Sequence, residues 1–290
     1  MFESILVYGL VASAILLLIS LGFSITFGLS GIANLSYGGI YLSAGYLTWY
    51  LINVLQFPLF AAALTSVTLM AILGALIYRI LIIRVRGNIM NEVVVTFALG
   101  LATMELFRFL GFGGYGFSLP SVASGGIRIL GQAIGFQRLL IIGVAILVAL
   151  LLWYFTRRTK TGLALLGMAQ DEYTALSLGI DSDWSATYSC AIGAAITALA
   201  AVLIFPLGVI AIDEGYKVLI RMMAVTVLGG LESTKGLVLA CIILGYFQVT
   251  VSNLASPRWT EAVFLGAILF VLAFRPSGLI GQSKELEERV

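Results

Sequence analysis

The apolar run from Ile5 to Phe27 holds no charged side chain, and runs like it recur along the whole chain. A hydrocarbon core about 30 Å thick needs roughly 20 helical residues to cross it, so a run of this length reads as a membrane helix. Further apolar runs extend from Leu59 to Ile83, Val93 to Leu110, Leu139 to Phe155, Ala186 to Ile212, Leu237 to Leu254, and Ala262 to Phe274 with its flanks. The stretches Leu35 to Leu55 and Val218 to Leu231 are apolar but glycine-rich or charged, and read as broken or tilted helices. Alternating strand patterns of membrane-barrel length are missing from the runs, which predicts helices only. With 61% hydrophobic and 10% charged residues, the composition is that of an integral membrane protein, and no low-complexity linker divides the chain. The expectation is an all-α integral membrane protein with about eight or nine membrane helices, broken or re-entrant segments included, in one transmembrane domain spanning 1–290.

The same composition excludes several functions. There is no histidine, which removes Ser-His-Asp hydrolysis, HExxH zinc chemistry and histidine proton relays. Cys190 and Cys241 both lie in apolar runs without the spacing of a disulfide framework or metal site. A net charge of +2 offers no basic face for nucleic acid. No catalytic residues and no metal ligands are assigned. The first run lacks a basic leader and a small-residue cleavage site, so it is expected to be retained rather than removed as a signal peptide.

Lysine and arginine in short loops set the orientation. Arg79, Arg84 and Arg86 form one cluster, Arg157, Arg158 and Lys160 a second, and Arg275, Lys284 and Arg289 a third. Two crossings separate the first cluster from the second, so both fall on one side, expected to be cytoplasmic. The N-terminus is then outside and the C-terminus inside. Arg128, Arg138 and Arg258 lie on the opposite side and weaken the bias without reversing it. Trp49, Trp153, Trp184 and Trp259 fall near run ends, where an indole suits the headgroup region. The glycine- and serine-rich segment Gly111 to Gly126 reads as an external loop with room for a short re-entrant piece.

One polar island, Thr156 to Ile180, interrupts the apolar chain. Within it Leu166, Ala169, Tyr173, Leu176 and Ile180 recur at helical spacing, which predicts one amphipathic helix about 22 Å long. Gln170, Asp171 and Glu172 flank the stripe. Gly179 is placed to end the helix, and Asp181, Ser182 or Asp183 to cap the next. A helix of this kind either rests on the headgroups or offers its stripe to the groove of a cytoplasmic partner.

Charges at membrane depth are the other candidates, because they usually face a partner or a cavity. Glu105 and Arg108 can pair along one helix, or stand beside a permeation path. Asp213, Glu214, Lys217 and Arg221 read as an interfacial salt-bridge set, or as a gate or binding-protein contact. Asn34, Ser36 and Tyr37, between Gly31 and Gly38, mark a helix break of the sort tolerated only inside protein or along a cavity. These residues, with Gly38, Gly229 and Gly230, are the translocation-path candidates. The small residues of IGAAITALAA and GLATMELFRFLG allow close helix contacts.

The series TRRTKTGLALLGMAQDEYTALSLGID resembles the cytoplasmic region of the branched-chain amino acid ABC transporter permeases, the LivH/LivM-type family. GFSITFGLSGIANLSYGGIYLSAGY, VTVLGGLESTKGLVLACIILG and FRPSGLIG are similar to three further family blocks, in the family's order. The resemblance implies a type II ABC importer-like permease fold in a bacterial or archaeal inner membrane. It implies that residues 156–183 form the coupling region, with Leu166, Ala169, Gln170, Asp171, Tyr173, Leu176 and Gly179 docking on an ATPase. The implied partners are a second homologous permease as homo- or heterodimer, two cytoplasmic ABC ATPases and an extracytoplasmic solute-binding protein. No GxxxxGK[ST] phosphate loop occurs in this sequence, so ATP and magnesium are expected to be used by the partner ATPase, with no cofactor on this chain. The implied substrate is a small neutral or zwitterionic solute, a branched-chain or other hydrophobic amino acid, with urea or a short amide as the alternative. An autonomous secondary transporter or channel would need inverted repeats and midplane acidic sites, and neither is evident. Tyr37 stands where the family's first block has histidine, and prolines common in the family are missing from the second glycine block and from IIRVRGN.

Overall fold

A computed structural model describes residues 2–112, 116–123, 125–129, 131–230, 233–275 and 278–280. The side chain of Tyr173 and the residues Glu232, Lys284 and Arg289 lie outside the described set.

The polypeptide is a bundle of helices: α1 Phe2–Ser24, α2 Tyr37–Asn53, α3 Leu59–Ile77, a single turn α4 Ile83–Val85, α5 Ile89–Phe107, and α6 Phe136–Arg158. They are followed by α7 Lys160–Gln170, α8 Glu172–Ser177, α9 Ser182–Ile204, α10 Glu214–Gly229, α11 Thr234–Leu254 and α12 Thr260–Phe274. Wider π-turns extend α1 through Leu29, α3 through Ile82 and α5 through Phe112. Among the described residues seven helices are long and apolar enough to cross a membrane, and α2 and α10 are shorter, at 17 and 16 residues. Those two are the stretches expected to be broken or tilted.

Lipid offers no hydrophobic drive for helix pairing, so close contact through small residues has to supply it. The most buried spans, α1 and α9, pack on each other where a Cβ on Gly193 would stand 2.6 Å from the Gly22 carbonyl oxygen. Around them α1 also meets α6, α10 and α11, while α9 meets α2 and α3. The exposed faces of α3, α5, α6 and α12 carry Phe60, Phe109, Leu150 and Leu269, the side chains a lipid-facing surface requires.

At one end of the bundle the helix starts are capped by side chains. Asn88 accepts from Met90 N at 3.1 Å for α5, Asp181 from Asp183 N at 2.9 Å for α9, and Ser233 from Gly236 N at 3.0 Å for α11. The other end holds an aromatic cluster, with Tyr46, Trp49, Phe107, Phe112 and Phe117 in ring contact. The loop expected near Gly111 to Gly126 is irregular over its described part, but it leads into a hairpin that periodicity did not reveal. In that hairpin β1 Gly126–Ile129 pairs antiparallel with β2 Gln132–Gly135. Strands this short leave no alternating pattern to read, and only Gly131, at φ 75°, marks the turn.

Candidate functional site

The polar island is two helices rather than one. Asp171 leaves the helical region at φ −154° and ψ 106°, and its carboxylate accepts from Thr174 N at 3.2 Å and Thr174 Oγ1 at 2.5 Å. An aspartate that can cap competes with helix continuation, and here capping wins. This overturns the continuous stripe: Leu166 and Ala169 lie on α7, Leu176 lies on α8, and Gln170 and Asp171 form the joint. α7 opens on Thr159, whose hydroxyl accepts from Gly162 N at 3.0 Å, and α8 ends at Gly179 with φ 83°, as expected.

The inward side chains of the island are Leu165 and Ala175, both buried, and Leu166 and Ala169 are half-buried beside them. Through this face α7 packs on α6, α9 and the π-turn of α1, so it touches both central helices. Outward stand Leu163, Leu176 and Leu178, which are 52%, 47% and 78% exposed. Of these, sequence periodicity marked only Leu176. The break at Asp171 rotates the second half of the stripe, so Leu178 goes unrecognised, while Leu163 lies one turn before the stripe's first residue, Leu166.

A second feature ties the start of α9, just beyond the island, to α3. Arg86 Nη1 lies 2.8 Å from Asp183 Oδ1 and donates to the Tyr78 hydroxyl at 2.8 Å, while Tyr78 donates to Asp183 at 2.7 Å. Arg86 also bonds Ser182, and Arg79 lies 4.1 Å over the Trp184 ring. Tyr78, fully buried, opens the π-turn of α3, a helical irregularity common at functional sites. This latch borders an open hollow whose other wall is Leu176, Gly179 and Ile180. Asp183→Asn should lower the melting temperature by about 2–4 °C. The pair is partly exposed, so screening leaves roughly 1 kcal/mol of its charge-assisted bond. A differential-scanning melt of the purified variant checks it, and an unchanged midpoint would show that the contact carries no stability.

The path candidates gather around the start of α2. The chain between Gly31 and Ser36 is non-helical, as expected, and it is buried in protein: Asn34, Ser36 and Tyr37 are each at most 2% exposed. Asn34 Oδ1 accepts from Ser36 N at 3.0 Å and Ser36 Oγ at 2.6 Å, closing the turn. Thr96 of α5 answers the broken backbone, since its hydroxyl accepts from Leu35 N at 3.0 Å and lies 3.0 Å from the Ala33 carbonyl. Tyr37 shares a 2.9 Å hydrogen bond with Thr26, and Gly38 meets the backbone of Gly215, which joins the start of α2 to the start of α10. Gly229 and Gly230 stand apart from this group, at the far end of α10, where they pack on Gly236 and Gly278.

The membrane charges pair as sequence spacing allows. Arg108 bonds Glu105 and reaches Asp213 at 3.8 Å, Lys217 bonds Glu214 at 2.7 Å, and Arg221 joins Glu214 at 3.9 Å to Glu261 of α12. Glu261 was not among the sequence candidates, because nothing in its own run marks it as a partner.

Residues 5–273 match the family described as branched-chain amino acid transport system / permease component. The high-affinity branched-chain amino acid transport system permease protein BraD of Pseudomonas aeruginosa is 28% identical over 293 residues, covering 96% of this chain and 95% of that protein. The LivH permease proteins of the corresponding systems in Salmonella typhimurium and Escherichia coli are each 27% identical over 281 residues, with 91% of both chains covered. Among solved structures, PsaBC from Streptococcus pneumoniae in complex with Fab shares the fold, with a TM-score of 0.51, 15% identity, and coverage of 94% of this chain and 92% of that one. On the match of residues 5–273, the chain belongs to the family of branched-chain amino acid transport system permease components.

Proposed function

We propose that this chain is the membrane subunit of an ATP-driven importer for branched-chain or similar hydrophobic amino acids. The observation that carries this is a helix pair at the basic end of the bundle that exposes Leu163, Leu176 and Leu178 while its inner face rests on α1 and α9. Work received by the outer face would pass through Leu165 and Ala175 to the two central helices. Family membership and the lack of a phosphate loop in this sequence support a separate ATPase as the source of that work. On this reading two ATPases use the ATP and magnesium, a second permease completes the pathway, and a binding protein delivers solute on the side of the hairpin and aromatic cluster. The capped helix ends and the clusters at Arg84 and Arg157 then face the cytoplasm, with the N-terminus outside.

In liposomes holding this chain alone, radiolabelled leucine uptake should equal that of empty vesicles. Adding the second permease, the ATPases, the binding protein and ATP should give accumulation against a gradient. Uptake by the chain alone would overturn the reading in favour of an autonomous carrier.

A further inference from the structure

Helices α6 and α11 both pack on α1, yet they do not pair along one another. At the basic end of the bundle they leave a shallow cleft, partly open to the surroundings. Its floor is the last turns of α1 from Leu21 to Leu29, including the π-turn, and its walls are Leu152, Trp153 and Thr156 of α6 and Thr234 of α11. The lining is mainly hydrocarbon and indole, with hydroxyls of Ser24, Thr156 and Thr234 along it.

The rim is cationic. Arg157 stands 6.0 Å from the ring of Trp153, which itself lines the cleft, and Lys235 follows Thr234 at the start of α11. Arg158 and Lys160 lie in the next turn, and all four are exposed. None of them pairs with a carboxylate among the described residues, whereas Arg86, Arg108 and Arg221 each hold one. An apolar groove bounded by cations that hold no carboxylate among the described residues matches a molecule with an apolar tail and a fixed negative head.

We infer that this cleft binds an anionic phospholipid, its acyl chain against Leu29, Leu152 and Trp153 and its phosphate at Arg157 and Lys235. The headgroup belongs to the cytoplasmic leaflet, which rests on the orientation proposed above. The site also has a place in the work of the chain, because the π-turn that floors it is the part of α1 on which α7 packs. A lipid seated there braces the joint between the polar island and the central helix.

The test is native mass spectrometry of the purified chain, titrated with phosphatidylglycerol and separately with phosphatidylcholine. Phosphatidylglycerol should be retained in preference, and R157Q/K235Q should weaken it about 25-fold, at roughly five-fold for each cation near an anionic lipid. R128Q/R258Q, which removes two exposed arginines from the opposite end, should bind like the parent. Equal retention of the two lipids overturns the site, as does parental phosphatidylglycerol binding by R157Q/K235Q, or an equal loss in R128Q/R258Q. Displacement of the lipid by inorganic phosphate at constant ionic strength would assign the rim to a free anion and overturn it too. The measurement uses the permease by itself, so it stands or falls separately from the uptake assay.

Discussion

Replacing Leu176 with aspartate should release the ATPase from the permease while the permease stays folded. Leu176 is half-exposed on α8, and it makes one wall of the hollow that Arg86 and Asp183 close on the other side. If that hollow and the neighbouring Leu178 and Leu163 form the docking face, burial of a leucine there contributes about 1.5–3 kcal/mol. A carboxylate in its place adds the cost of desolvating a charge, because Arg86 across the hollow is already held by Asp183. The combined loss exceeds the roughly 2 kcal/mol that defines a binding hot spot, so affinity should fall at least about 30-fold and ATP-driven uptake should vanish. Because the side chain points away from the bundle, the melting temperature of the isolated permease should be unchanged. Ala175 is the control: it is 3% exposed, so Ala175→Asp should damage folding itself. Co-purification of the ATPase with the Leu176→Asp permease at parental stoichiometry would remove α8 from the interface.

The membrane segments were legible because lipid imposes one requirement, a long apolar helix, and the sequence displays it directly. Even the weak segments were marked: Gly38 and Gly39 in α2, and the charges of α10, appear in the structure as short helices joined at Gly38 and Gly215. The island was harder to read. Periodicity saw Leu166 to Ile180 as one stripe, whereas a single aspartate that caps locally divided it, and side-chain capping does not register in a hydrophobic pattern. The latch was invisible for a different reason. Arg86 and Asp183 are 97 residues apart, and only packing of α3 on α9 brings them together. Asp183 was noticed as a possible cap, yet Asp181 takes that role, and this frees Asp183 for Arg86 and Tyr78. Thr96 similarly looked like an ordinary helix residue until the broken backbone before α2 was placed against it.

The second large effect should come from Gly236→Val, which ought to abolish the folded, detergent-extractable protein. At the ends of α10 and α11 the two backbones touch: a Cβ on Gly236 would fall on the Gly229 carbonyl oxygen, and one on Gly229 would lie 2.7 Å from Leu237 N. A third segment closes over them, with Leu279 N donating to Leu228 O at 2.8 Å and Gly278, at φ 75°, against Gly230. The two nearest obstacles are main-chain atoms of Gly229, so no rotamer change can absorb the valine, and α10 must move away from α11. Overpacking of a core costs about 1–3 kcal/mol when side chains can yield, and a backbone clash belongs above that range. The penalty also spreads, because α10 bears on α1, α2 and α12. Gly143→Ala provides the contrast, since Gly143 lies exposed within α6 and a Cβ there meets nothing within 4 Å. That change should leave the melt unchanged or raise it, because glycine inside a helix costs roughly 0.5–1 kcal/mol relative to alanine. Size-exclusion profiles and thermal melts of the two variants decide the matter. A monodisperse Gly236→Val protein with a parental midpoint would mean that α10 and α11 do not meet through these glycines.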